Sequence, residues 1–183
     1  MKANSGQTGI LLVGGTDPSG GAGITRDCSV VAGLGATGFP VVSAVTAQNS
    51  SGLTCCLPVT DECFAKEMDC VVSEFPIGAI KIGLLAGQPQ ADAVTDSAEQ
   101  ATVPLVWDPV LSTSSGGVFL TADEARNYLT RLGQQVTILT PNAEEAGTLA
   151  GLPVNDEQGM VSAAKVLLDT GIRSVLILSL IHI

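Results

Sequence analysis

Short apolar runs with little polar alternation punctuate the chain at Ile10-Leu11-Leu12-Val13 and at 41–45, 79–82, 104–107, 136–139 and 174–177. A strand covered on both faces has no solvent side to mark with polar residues, so six such runs predict a buried, mostly parallel sheet. Between them the apolar positions change to helical spacing. Ile24, Cys28, Val31 and Leu34 share one face, Phe64, Met68, Val71 and Phe75 a second, and Ala125, Tyr128, Leu129 and Leu132 a third. End signals agree with these helices. Thr60 stands as an N-cap, Thr121 with Glu124 forms a capping box, and Gly171 follows the helix of 160–168 where it should stop. The alternation of strand and helix predicts an α/β fold, a doubly wound three-layer αβα arrangement with right-handed crossovers. No repeat or interdomain linker interrupts it, and the loose stretch 112–117 reads as a loop suited to act as a flap.

This order also places the distinctive polar and glycine-rich stretches. Gly14 to Gly23 follows the first predicted strand, Gln48 the second, Gly83 the third, Asp108 the fourth and Asn142 the fifth. In an open parallel sheet ligands bind at the carboxyl ends of the strands, so all five are predicted to meet at one edge.

Composition narrows the ligand classes. The 183 residues suffice for one domain, and 45% hydrophobic with 14% charged residues suits strands buried on both faces. With 18 acidic against 8 basic residues the formal charge is -10, which disfavours nucleic acid while leaving room for a nucleotide held at a helix N-terminus or through a bound cation. The polar start, 1–8, lacks the apolar core of a signal peptide, and no run reaches membrane-spanning length, so the expectation is a cytoplasmic protein without a membrane partner. The five cysteines lack metal-ligand spacing and read as reduced packing residues.

The stretch Gly14-Gly15-Thr16-Asp17-Pro18-Ser19-Gly20-Gly21-Ala22-Gly23-Ile24 is so free of bulk that its backbone can approach a ligand closely. It is not a Walker loop, because Gly21 and Ala22 stand where Lys and Ser/Thr are required, and no register of its glycines fits a dinucleotide turn. Asp108 closes an apolar strand, where a carboxylate needs solvent, a cation or backbone donors; on spacing alone a turn-starting role before Pro109 fits equally well. Asn142 and Glu145 have capping-box spacing, and the same carboxylate could serve magnesium. Gln48 offers both a donor and an acceptor, although Ala47-Gln48-Asn49 standing alone reads more readily as a solvated loop.

Together with Thr25-Arg26-Asp27, Ala44 to Asn49, Lys81-Ile82-Gly83, Asp108-Pro109-Val110 and Thr140-Pro141-Asn142-Ala143-Glu144-Glu145, the glycine stretch resembles the hydroxymethylpyrimidine and phosphomethylpyrimidine kinases of thiamine biosynthesis, members of the ribokinase-like superfamily. The resemblance runs in unbroken order from residue 10 to about 177. It implies ATP and magnesium as cofactors, a small pyrimidine as substrate, and leaves a homodimer open. It further implies substrate contacts at Gly15, Ala22, Asp27, the Thr46 backbone, Gln48 and Leu84, where methionine is common in the family. Asn142 and Asp108 are implied on the nucleotide and phosphate side, and Glu145 and Asp108 at the metal.

The resemblance divides the chain into a polar tail, 1–8, a partial ribokinase-like domain, 9–177, and Leu178-Ser179-Leu180-Ile181-His182-Ile183. Those last six residues match the in-frame translation of a transposon end used in sequencing libraries and are read as an adapter scar, which removes His182 from the candidate bases. The family's nucleotide-side lysine, Gly-Thr-Gly loop and catalytic base would then lie beyond this chain, which is expected to be inactive alone, with a poorly anchored last strand. A pyridoxal kinase of the same superfamily and a non-catalytic pyrimidine-binding module are the alternatives. A Rossmann-type oxidoreductase is disfavoured by the glycine spacing.

Overall fold

A computed structural model describes residues 8–49, 51–112 and 117–178. The order is β1 (Gly9–Gly15), α1 (Gly23–Gly33), β2 (Gly38–Asn49), β3 (Gly52–Pro58), α2 (Asp61–Glu74), β4 (Ile77–Ile82), α3 (Gln88–Ala101), β5 (Leu105–Trp107), α4 (Ala122–Leu132), β6 (Ile138–Leu139), α5 (Ala143–Ala150) and α6 (Glu157–Leu168). The strands form one sheet in the order β3-β2-β1-β4-β5-β6. Every neighbouring pair is parallel except β2 and β3, which run antiparallel. The chain moves outward from β1 to β2 and β3, then returns to the other side of β1 for β4, β5 and β6. That reversal between β1 and β4 is where an open α/β sheet leaves a crevice at its carboxyl edge.

Alternate residues of β1 explain why the sheet needs cover on both faces. Leu11 and Val13 join Val41, Ile80, Ile82, Leu105, Trp107 and Leu139 in the main core, which Phe64, Met68, Val94, Tyr128, Leu132 and Leu167 close from the helices. Leu12, between them, is equally buried but turns to the other side, and Ile24 and Val31 of α1 are buried with it. The alternation is silent in the sequence because both faces are apolar.

The caps form as expected. Thr60 Oγ1 accepts from Cys63 N, and Thr121 with Glu124 makes a reciprocal capping box. Gly171, at φ +100°, turns the chain shortly after α6. Several expectations need correction. Strand β3 was not foreseen, because it is an edge strand whose residues are mostly solvent-exposed, Leu57 among them, and no buried run announces it. Helix α3 buries Gln90, Ala91, Val94, Thr95 and Ala98, a helical face made largely of small and polar residues that hydrophobicity alone does not flag. The run 174–177 is not a strand of the sheet. It lies beside β6 through isolated parallel bridges, Leu139 with Val175 and Asn142 with Leu178, so the sixth strand is β3 at the opposite edge. Leu34 sits at the C-cap of α1 and is exposed rather than on its buried face. Cys55, Cys63 and Cys70 are exposed and not packing residues, and all five cysteines are free thiols.

Leu178, the first residue of the supposed scar, donates its N–H to the Pro141 carbonyl at 2.7 Å. Residues 179–183, the polar tail 1–7 and the flap residues 113–116 lie outside the described residues, while Ser112 and Val118 at the flap's base form an antiparallel bridge. No described helix is long and apolar enough to cross a membrane.

Candidate active site

The glycine loop is built around a residue that sequence reading passed over. Asp17 is 3% exposed, and its carboxylate accepts from Ser19 N at 2.8 Å, from Ser19 Oγ at 2.8 and 2.9 Å, and from Ala22 N at 2.8 Å. Burial pushes the Asp17 carboxyl up, but these bonds, with the nearby Gln48 side chain, outweigh it and hold it below the ordinary value. The Gln48 side chain lies close to this carboxylate, and its amide carries both a donor and an acceptor toward the cavity that it lines. The loop is also stitched to β2. Thr16 N donates to Ala44 O at 2.9 Å, Thr46 N to Thr16 Oγ1 at 3.1 Å, and Thr46 Oγ1 to Thr16 O at 2.6 Å.

The loop opens onto a cavity of about 390 Å³. Of the residues predicted for the site, Gly15, Ala22, Asp27, Thr46, Gln48, Leu84 and Asp108 all line it. Gln48 does so from within β2 rather than beyond it, at a register shift between Ala47 and Gln48 that changes how the strand pairs with β3. Leu84 is fixed from behind: Ser43 Oγ donates to Leu84 O at 2.6 Å, while the buried Gln90 donates to Ser43 O at 3.0 Å and accepts from Ala86 N at 2.9 Å. A Cβ on Gly15 would lie 3.0 Å from a Leu84 methyl, so that methyl would have to give way by a small shift to admit it.

One wall is charged. Lys81, near the end of β4, places Nζ 2.7 Å from Asp27 and 3.7 Å from Asp108, joining α1 to the end of β5. Burial raises the Asp108 carboxyl; Lys81 opposes this and Asp27 adds to it. Neither Lys81 nor Arg26, which also lines the cavity, was predicted as a site residue. A lone lysine inside an otherwise apolar strand was the available signal, since such a charge needs a partner or a ligand.

Asn142 and Glu145 are not on the cavity lining. Asn142 Oδ1 accepts from Glu145 N at 2.9 Å and Glu145 Oε2 accepts from Asn142 N at 2.8 Å, a complete capping box at the start of α5. Glu145 is nevertheless electrostatically tied to the site. Burial raises its carboxyl, a bond from the Asn142 backbone opposes, and the nearby Asp108 charge raises it again. A carboxylate whose ionisation is disfavoured by a second one nearby suits a hydrated divalent cation, because magnesium takes one or two carboxylates and keeps much of its water. Among the described residues no group of three or more acidic, cysteine or histidine side chains forms a closed metal cage.

The pKa shift gives Glu145→Gln a distinctive signature. A carboxyl whose folded value lies above its unfolded 4.5 binds protons more tightly when folded, so its contribution to stability falls as pH rises from 4.5 through the raised value. Glutamine keeps the capping box without that slope. The variant is expected to stay within about 1 kcal/mol of the parent at neutral pH, and to be the less pH-sensitive of the two above about pH 4.5. Urea unfolding across that range checks this, and a large loss at pH 7 would count against it.

An open α/β sheet with a bulk-free loop after β1, a crevice at the β1/β4 reversal and a polar cavity at its carboxyl edge defines a ribokinase-like domain. The phosphomethylpyrimidine kinase family matches residues 17–182. A hydroxymethylpyrimidine/phosphomethylpyrimidine kinase of Salmonella typhimurium is 36% identical over 168 residues, 91% of this chain and 63% of that protein. The crystal structure of a phosphomethylpyrimidine kinase from Clostridium difficile superposes with a TM-score of 0.83 at 28% identity, over 93% of this chain and 74% of that one. A pyridoxal kinase from Staphylococcus aureus in complex with pyridoxal gives the same TM-score at 25% identity, over 92% and 62%. The chain belongs to the phosphomethylpyrimidine kinase family. It spans 63% of the length of the first curated relatives it matches.

Proposed function

We propose that this chain supplies the pyrimidine-binding part of an ATP-dependent kinase that phosphorylates 4-amino-5-hydroxymethyl-2-methylpyrimidine and then its monophosphate, in thiamine biosynthesis. The observation that carries the reading is Gln48 in the cavity wall beside Asp17, where its amide offers an acceptor and a donor to the edge of an aminopyrimidine. Gly15, Thr46 and Leu84 form the walls around the ring, and the side-chain-free loop lets the substrate lie close to the backbone. In the reaction the hydroxymethyl oxygen attacks the γ-phosphorus of ATP, the bond from that phosphorus to the β-phosphate bridging oxygen breaks, ADP leaves, and the hydroxyl proton passes to a base. Asp108 and Glu145 are the residues that would hold magnesium, which neutralises phosphate charge when bound; Asn142 positions Glu145 through its cap. Free thiols and the use of ATP support a cytoplasmic setting.

Calorimetric titration of the chain with the pyrimidine alcohol tests the recognition. Gln48→Ala is expected to weaken binding by about 1 to 3 kcal/mol, since a polar ring edge would be left unpaired in a partly closed site. Equal affinity for variant and parent overturns the assignment of Gln48. Pyridoxal, another nitrogen ring bearing a hydroxymethyl group, is the competing ligand that the Staphylococcus aureus neighbour suggests, and it is titrated alongside. Tighter binding of pyridoxal than of the pyrimidine would favour the second reading. Turnover is measured with ATP and magnesium in a protein that continues the chain to its relatives' length.

A further inference from the structure

We infer that Arg26 recognises the phosphate group of the phosphorylated pyrimidine, a specificity role that rests on the function proposed above. Among the described residues two cations line the cavity, and they differ in what they are free to do. Lys81 is committed, with Asp27 at 2.7 Å and Asp108 at 3.7 Å. Arg26, one residue before Asp27 on α1, is exposed and makes no ion pair among the described residues, although the chain carries 18 acidic side chains. Away from the cavity, Arg131 is held by Asp92, Asp96 and Glu99 and Arg126 by Asp123, while Arg173, also without an ion pair among the described residues, does not line the cavity; Arg26 is the arginine that is both unpaired and on its wall. An unpaired guanidinium on a cavity wall retains its full fork of donors for an incoming anion, and its planar geometry matches two phosphate oxygens at once.

The two proposed substrates place different demands on this cavity. The alcohol is uncharged, and Gln48 with the apolar walls suffices for it. Its monophosphate brings about two negative charges into a pocket that already contains the Asp27 and Asp108 carboxylates, with Asp17 beneath the loop. Lys81 is shared between two of those acids and cannot offset the ester's charge without releasing them. Arg26 is the cation available to do so.

The test is calorimetry on the chain with the alcohol, with its phosphate ester, and with ATP alone, comparing the parent, Arg26→Ala and Arg26→Lys. In Arg26→Ala the ratio of ester to alcohol affinity is expected to fall about tenfold, the lower end for a charge-assisted contact because the side chain is exposed. Lysine should restore part of the ratio, and raising salt should shrink the difference between parent and alanine variant. An unchanged ratio overturns the proposal, as does a loss confined to ATP, which would assign Arg26 to the nucleotide. If neither alcohol nor ester binds the parent chain, the proposed function fails and this role with it; if the alcohol binds and the ratio is insensitive to Arg26, only the role of Arg26 fails. Arg26 is exposed and its side chain makes no hydrogen bond or ion pair among the described residues, so thermal melting of both variants should stay close to the parent.

Discussion

Gly23→Ala is expected to destabilise the protein by about 3 kcal/mol and to abolish pyrimidine binding with it. Gly23 opens α1 at φ +59°, in the left-handed region where a Cβ is strained. A Cβ there would also lie 2.3 Å from the Gly15 carbonyl oxygen and 3.4 Å from Asp17 N. Both are backbone atoms, so no rotamer change relieves the overlap, and relief requires moving the end of β1 or the loop that frames the cavity. Gly20→Ala isolates the conformational part of this cost: Gly20 has φ +72°, yet nothing lies within 4 Å of its added Cβ. It should lose only about 1 to 2 kcal/mol. Urea unfolding of both variants decides the matter, and equal losses would show that the close approach to Gly15 does not govern the loop.

Asp17→Asn is expected to cost about 2 to 3 kcal/mol at neutral pH. The amide keeps one acceptor but sets an N–H₂ group against the donors of Ser19 or Ala22, where the carboxylate now takes all of them. Its pH dependence has a definite sign. The folded Asp17 carboxyl lies below its ordinary 3.8, so its stabilisation is complete well above that value and is lost as pH falls through 3.8 toward the folded value. Asparagine cannot titrate there, so the stability gap should be constant above about pH 5 and narrow below about pH 4. A gap that persists unchanged into acid would mean that the ionised form is not what holds the loop. Because Asp17 holds the loop that lines the cavity beside Gln48, the variant should bind the pyrimidine more weakly even where it remains folded.

These two residues show how unevenly the site could be read from the chain. The glycine run was conspicuous because so little bulk between a strand and a helix signals a tight turn, but the same composition hid Asp17. Nothing in its spacing says that one carboxylate, almost wholly buried, takes donors from residues two and five positions ahead. Gln48 was legible as a matched donor and acceptor, whereas its place beside Asp17 depends on the fold bringing loop and strand together. Asn142 and Glu145 illustrate the converse. Their spacing allowed a cap and a metal role together, and the fold completes the cap while keeping them off the cavity lining.

Local physics was enough to determine most of the strand–helix alternation, the caps at Thr60, Thr121 and Asn142, and the placing of polar motifs after apolar runs, because hydrophobic period and capping chemistry act over a few neighbouring residues. Tertiary structure decided what depends on partners distant in the chain. It made β3 an edge strand by pairing it with β2, and it buried α3 through small side chains that need a close neighbour to pack against. It kept 174–177 out of the sheet as isolated bridges beside β6. It also brought Lys81 to Asp27 and Asp108 while leaving Arg26 unpaired. A charge's role is set by what surrounds it in space, and residues 27, 81 and 108 become neighbours only once β1, β4 and β5 lie side by side.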